Sequence, residues 1–248
     1  MRSIGIVCEG DRDYDMLTNT ITHFMNEDFR FLWLQPNSEF GTDINGAGWK
    51  GVFRWCQSYT EDLYDYLNGL TPKIDLLIIQ IDADVARCEK EVYCWSITVN
   101  CVGQGREDPL NCSISKKGQC LQLLPPNEIC SGTALDRVTF LTNMIACYVK
   151  QTQEENIKAV VTVPCDSSDA WVVAAFEDEF SDVEKLNSPW DIITQKKDYH
   201  GIRIPGRKKS KKPYAALIEG VCDNWSKVKE KCPQAQAFEA NVQAMLMP

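Results

Sequence analysis

Apolar and polar positions along this chain fall into blocks whose period changes, and the changes mark out its elements. Residues 3–8, SIGIVC, form a short apolar run with β-branched members and read as a strand. In YDMLTNTITHFMN, 14–26, the residues Met16, Leu17, Ile21, Phe24 and Met25 share one helical face. FRFLWLQ, 29–35, reads as a second strand, ended by Pro36. Residues 41–51 contain four glycines and read as a loop. From Trp49 onward, Val52, Trp55, Tyr59, Leu63 and Leu67 keep helical spacing until Gly69 and Pro72 stop it. KIDLLIIQIDADV, 73–85, holds the strongest strand; its near-continuous apolar run implies burial on both faces, as in a parallel sheet.

Residues 86–131 show no period. Beyond them, 133–151 reads as a helix with Thr133 as cap, and 157–164, IKAVVTVP, as another buried strand. DSSDAWVVAAFEDEF follows as a helix capped by Asp166 or Ser167. Pro213 opens a helix over 214–231, and 234–246 is a further one. Strands alternating with helices imply right-handed crossovers. The expected fold is one α/β domain over residues 1–248. Its central, mostly parallel sheet would have about four or five strands, with helices on both faces. An irregular cysteine-rich insertion occupies 86–131, and a basic loop with C-terminal helices occupies 203–248.

Ligands of such sheets bind beyond the carboxyl ends of the strands, and there this sequence places acids. The first strand runs into Glu9, Gly10, Asp11, Arg12 and Asp13; the third runs into Asp82 and Asp84. Asp82 and Asp84 are two apart, so an extended chain projects them to one side. If the first and third strands are neighbours, Glu9 faces both. Close carboxylates repel in a cleft of low dielectric. A hard divalent cation such as Mg²⁺ or Mn²⁺ relieves that repulsion and leaves positions open for water and phosphate oxygens. Asp13 is a further candidate ligand. Asp11 and Asp13 can equally serve as turn or cap residues bonding local backbone.

An apolar strand ending E-G-x-x-D (Glu9, Gly10, Asp13), then a hydrophobic strand ending D-x-D (Asp82, Asp84), resembles the TOPRIM domain. That domain occurs in topoisomerases, primases, OLD-type nucleases and small stand-alone proteins of bacterial defence loci, including RloB-type proteins. VTVPCDSSDAWVVAAF, 161–176, with Asp169 before Ala170 and Trp171, is similar to a later segment of the defence-associated members. The resemblance implies a Rossmann-like TOPRIM core and metal-dependent cleavage of phosphodiester bonds in DNA or RNA, in anti-phage defence. It implies Mg²⁺ or Mn²⁺ held by Glu9, Asp13, Asp82 and Asp84, with Glu9, Asp82 and Asp84 as catalytic residues. A partner ATPase or a homo-oligomer would fit the relatives.

Composition narrows this picture. The net charge of −9 argues against a protein coated in basic residues. Positive charge is nevertheless concentrated in RIPGRKKSKK, where Arg207, Lys208, Lys209, Lys211 and Lys212 form a candidate patch for nucleic-acid phosphates. The bland alternative is a solvated loop. No run approaches ~18 apolar residues, so no membrane span is expected. The first residues lack the pattern of a secretory signal, and the expected location is the cytoplasm. Cys88, Cys94, Cys101, Cys112, Cys120 and Cys130 are separated by gaps of five to ten residues without histidines nearby, a spacing that favours a partly buried insertion over a zinc site. Phe31, Trp33, Trp49, Phe53 and Trp55 are core candidates or an interaction face.

Two other functions compete. D-A-D-V resembles the opening motif of haloacid-dehalogenase-like phosphatases, with Asp82 as nucleophile and Asp84 as general acid. Ala86 stands where that motif wants Thr or Val, and the motif follows the third strand rather than the first. A non-catalytic adaptor of a defence complex is the other alternative.

Overall fold

The structure, a computed structural model, describes residues 1–36, 45–59, 62–86, 133–149 and 158–247. The cysteine cluster and the segment 37–44 lie outside the described residues.

Four parallel strands make the central sheet: β1 (Ser3–Val7), β2 (Arg30–Gln35), β3 (Leu76–Gln80) and β4 (Ala159–Thr162), in the order β2-β1-β3-β4. β1 lies between β2 and β3, with Val7 opposite Ile79. Side chains alternate to opposite faces, and each face carries a core. Ile4, Ile6, Leu76 and Ile78 pack on one side against α1 (Asp11–Met25). Val7, Leu77 and Ile79 pack on the other side against α2 (Gly48–Ser58), α3 (Leu63–Gly69) and α4 (Ala134–Tyr148). The first face is completed by α5 (Asp169–Phe176) and, near the C-terminus, by α7 (Lys211–Asp223), α8 (Trp225–Lys231) and α9 (Pro233–Leu246). Between α5 and α7 lie α6 (Pro189–Gln195) and an antiparallel pair, β5 (Asp198–Tyr199) and β6 (Ile202–Arg203). The fold is α/β with a parallel four-stranded sheet. Among the described residues, no helix is long and apolar enough to cross a membrane.

Several boundaries differ from the sequence expectation. α1 starts at Asp11, so Asp13 belongs to its first turn rather than to a loop. The run 49–70 forms two helices, and the glycine loop already becomes helix at Gly48. α5 starts at Asp169 behind Ser168; Asp166 has φ 57, in the left-handed region, and neither Asp166 nor Ser167 is its cap. The helix expected over 214–231 breaks at Asn224 into α7 and α8, with Pro213 inside the first turn of α7. Thr133 does cap α4: its Oγ1 accepts from Asp136 N–H while Asp136 accepts from Thr133 N–H, a reciprocal capping box. Phe53 and Trp55 are buried in the second core, and Phe31, Trp33 and Trp49 pack against the two cores.

Candidate functional site

The chain leaves β1 toward β2 on one side, then returns to place β3 on the other side of β1. The gap between the ends of β1 and β3 is therefore the point where strand order reverses, the usual crevice of an open α/β sheet. Glu9 and Asp82 sit there. Asp82 N–H donates to Glu9 Oε1 at 2.8 Å, so the two strand tips meet directly. Gln80, buried at the end of β3, braces both: its Oε1 accepts from Glu9 N–H at 3.4 Å and its Nε2 donates to Asp82 Oδ1 at 2.7 Å.

Asp84 reaches the site by a different route from the one alternation suggests. β3 ends at Gln80, and Ala83–Ala86 turn into a 3-10 helix. The chain there is held to the loop after β4 through Ala83 N–H to Pro164 O and Asp84 N–H to Asp166 O, at 3.0 and 2.8 Å. Asp82 and Asp84 are therefore not on one extended chain, although Asp84 still adds its charge to the surroundings of Asp82.

The loop after β4 and the start of α5 close the crevice from the β4 side. Ser168 N–H donates to Asp82 Oδ1 at 3.2 Å, and Ser168 Oγ donates to Asp13 Oδ1 at 2.8 Å. Asp169, 2% exposed, accepts from Tyr214 Oη at 3.0 Å and pairs with Lys209 Nζ at 2.6 Å. Lys209 Nζ also lies 5.6 and 5.7 Å from the ring centroids of Trp190 and Tyr214. Of the five basic candidates, Lys209 alone turns inward; Arg207, Lys208, Lys211 and Lys212 are exposed. Arg12 faces away, pairing with Asp11 and Asp15, while its Nε donates to Lys209 O at 3.2 Å.

These surroundings set the charges. Burial pushes the Asp82 carboxyl well above the usual carboxylate range; Asp13 and Glu9 push it further, Lys209 opposes them, and Asp84 adds a smaller push upward. Burial also raises Asp13, against the pull of Lys209 and the Ser168 hydroxyl. For Lys209 burial acts downward, but Asp169, Asp82 and Asp13 outweigh it and hold the ammonium above the ordinary lysine value. Burial raises the Tyr214 phenol, and Asp169 raises it further, so it stays protonated and donates.

The structure thus brings together Glu9, Asp13, Asp82 and Asp84 and adds Lys209 from the basic segment. Sequence reasoning did not place Gln80, Ser168 and Tyr214 in the site, and it noted Asp169 only within a resemblance. The one visible hint was Gln80, a polar residue closing an otherwise apolar buried strand. Asp82 commits Oδ1 to hydrogen bonds from Gln80 and Ser168, and Asp13, Glu9 and Asp84 surround it with negative charge. As the side chains stand, no group of three or more His, Cys, Asp or Glu among the described residues is arranged to hold a metal ion. Comparison with protein-family models, with curated proteins and with solved structures gave no match.

Proposed function

We propose that this crevice cleaves phosphodiester bonds of nucleic acid with the help of a divalent cation, Mg²⁺ or Mn²⁺, in the manner expected of a TOPRIM-like nuclease of bacterial defence. The observation that carries the reading is the direct contact of Asp82 N–H with Glu9 Oε1 at the switch point, which gathers the acids of two distant strand ends in one place. Asp82, Glu9 and Asp84 would hold the cation. When bound, it lowers the pKa of water and neutralises charge on phosphoryl oxygens.

The remaining work falls to the chain itself. Gln80 and the Ser168 N–H fix the Asp82 carboxyl through Oδ1. Glu9, where it does not ligate the cation, is placed to take a proton from an attacking water. Lys209 presents a fixed positive charge to a phosphate, and the exposed Arg207, Lys208, Lys211 and Lys212 stand beside it to hold flanking phosphates. The phosphatase alternative gives no role to Glu9, which meets Asp82 directly.

Plasmid nicking and RNA cleavage, each titrated with Mg²⁺ and Mn²⁺, test the proposal. Asp82→Asn, which keeps an oxygen for Gln80 and Ser168, is expected to stay folded and lose at least ~10²-fold in rate, the scale of one lost transition-state stabiliser. Undiminished cleavage by Asp82→Asn and Glu9→Gln would remove the crevice from the chemistry.

A further inference from the structure

We infer, building on the nuclease reading above, that the β5–β6 hairpin is a second contact site for the phosphates of the same nucleic acid. Lys197 and Arg203 are its contact residues, and the substrate is a polynucleotide long enough to run from the crevice to the hairpin.

Three observations carry this. First, most cations of this protein are already engaged, and those of this segment are not. Arg2, Arg12, Lys185, Lys227 and Lys229 each pair with a carboxylate, and Lys196 pairs with Glu177 at 3.4 Å. Among the described residues, Lys197, Arg203, Arg207, Lys208, Lys211 and Lys212 are exposed and show no ion pair, side-chain hydrogen bond or ring contact; outside this segment only Arg30 and Lys73 share that state. Second, Asp198 is the one acid between Lys196 and Lys212, and it is turned back on the hairpin: its Oδ1 accepts from Gly201 N–H at 2.7 Å. Arg203 stands opposite Asp198 in the ladder and still has no ion pair with it. Third, the hairpin is a built element rather than a loose tail. His200 and Gly201 both have positive φ, 50° and 84°, as a two-residue hairpin turn needs. Tyr199 is fully buried and Ile202, its partner in the ladder, packs on the same core, so the Asp198–Arg203 pair faces solvent. Ile204 N–H donates to Lys197 O at 2.9 Å, and Trp190 Nε1 closes the base of the lobe 190–207 by donating to Arg207 O at 2.6 Å.

The same backbone continues into the lysine that faces the carboxylates: two residues beyond Arg207, Lys209 pairs with Asp169 at 2.6 Å. At ~3.3 Å per residue, the chain from Arg203 to Lys209 spans at most ~20 Å. One strand of a B-form duplex places about six phosphates in that length. Cations fixed along such a path hold a polymer through several phosphates at once and a short fragment through few, so affinity grows with length. A merely solvated charge run predicts otherwise: removing two charges anywhere on the surface would then act alike.

Fluorescence anisotropy with labelled oligonucleotides, on the full chain and with EDTA present so that nothing is cleaved, tests the inference. The wild type is compared with the double variant Lys197→Gln, Arg203→Gln. A second double variant, Arg30→Gln, Lys73→Gln, removes equal charge at the opposite end of the sheet, where β2 starts and just before β3. Circular dichroism checks the fold of each. The wild type is expected to bind a strand of about 12 nucleotides at least ~10-fold more tightly than a dinucleotide. The hairpin variant should lose most of that gain, and its slope of log K against log salt should fall by about 1 to 2, while the Arg30–Lys73 variant keeps both. If the two variants weaken binding alike, if the hairpin variant binds as the wild type does, or if the wild type binds both lengths alike, the inference is overturned and the nuclease reading stands on its own cleavage assay. A wild type that binds neither oligonucleotide at low salt overturns both; binding to phosphatidylserine vesicles in that case assigns these cations to a membrane surface instead.

Discussion

At the scale of single residues, the crevice stores a conflict that pH reveals. Asp82 and Asp13 both have their pKa raised by folding, chiefly by burial, with Glu9, Asp84 and Asp169 adding to the effect and Lys209 opposing it. A carboxyl whose folded pKa lies above its unfolded value binds its proton more tightly in the native state. Its contribution to stability is complete below the ordinary carboxylate value near 3.8 and is lost as pH climbs from there through the raised native value. Without divalent ions, Asp82→Asn should therefore shift the urea midpoint upward at pH 7.5, with no change in slope, and the gain should vanish by about pH 4. Adding Mg²⁺ should stabilise the wild type and not the variant, because a cation on Asp82 relieves the same repulsion. A variant less stable than wild type at pH 7.5 would show that the Gln80 and Ser168 hydrogen bonds outweigh the repulsion. Glu9, Asp82 and Asp84 stood out in the sequence because they follow apolar strands, and Asp13 because it lies just beyond Glu9; Asp169 was noted only within a resemblance. Lys209 was not separable from its neighbours in RIPGRKKSKK. Nothing in a run of four lysines tells which one the backbone turns inward; that is decided by Trp190 and Arg12 gripping the main chain on either side of Lys208.

At the scale of elements, the long periodic segments were readable and the short ones were not. β1, β3 and α1 announce themselves because a buried strand or a 15-residue amphipathic helix repeats its pattern enough times to be seen. α6, with seven residues, and the two-residue strands β5 and β6 have no room for a period, so residues 181–202 carried no assignment. That stretch supplies Trp190 and orients the lysine segment, which is why half of the site stayed hidden. α5 and α7 also meet more closely than their sequences advertise. A Cβ placed on Gly220 of α7 would lie 2.2 Å from Cζ of Phe176 at the end of α5, well inside any contact. Gly220 is thus required for close approach of the two helices that carry Asp169 and Tyr214. Gly220→Ala is expected to cost about 1–3 kcal/mol in chemical denaturation, the usual range for overpacking. It should also weaken the Tyr214–Asp169 hydrogen bond by pushing the helices apart. A change within ~0.5 kcal/mol would mean that Phe176 rotates away freely.

At the scale of the whole molecule, the question is how a chain of net charge −9 could approach a polyanion at all. Long-range repulsion is screened over about 8 Å at physiological ionic strength, so local charge decides once contact is made. Arg207, Lys208, Lys211 and Lys212 are exposed and lie next to Lys209 in sequence, which places a positive rim at the edge of the acidic crevice. On the proposed nuclease reading, the acidic body would keep non-specific binding weak and the rim would supply the phosphate contacts that positioning needs. Binding of a single-stranded or duplex oligonucleotide should accordingly weaken with salt. Lys208→Ala with Lys212→Ala should reduce the slope of log K against log salt by about 1 to 2, roughly one phosphate contact per lysine. The same double variant should keep its cleavage rate at saturating substrate within about threefold, because neither side chain reaches the carboxylates; only transition-state contacts alter that rate. Lys209→Gln should behave in the opposite way, with a nearly unchanged salt slope and a reduced saturated rate. If all three lysines shifted the slope alike and left the saturated rate alike, the inward seat of Lys209 would have no chemical consequence, and the rim and the crevice would be one undifferentiated binding surface.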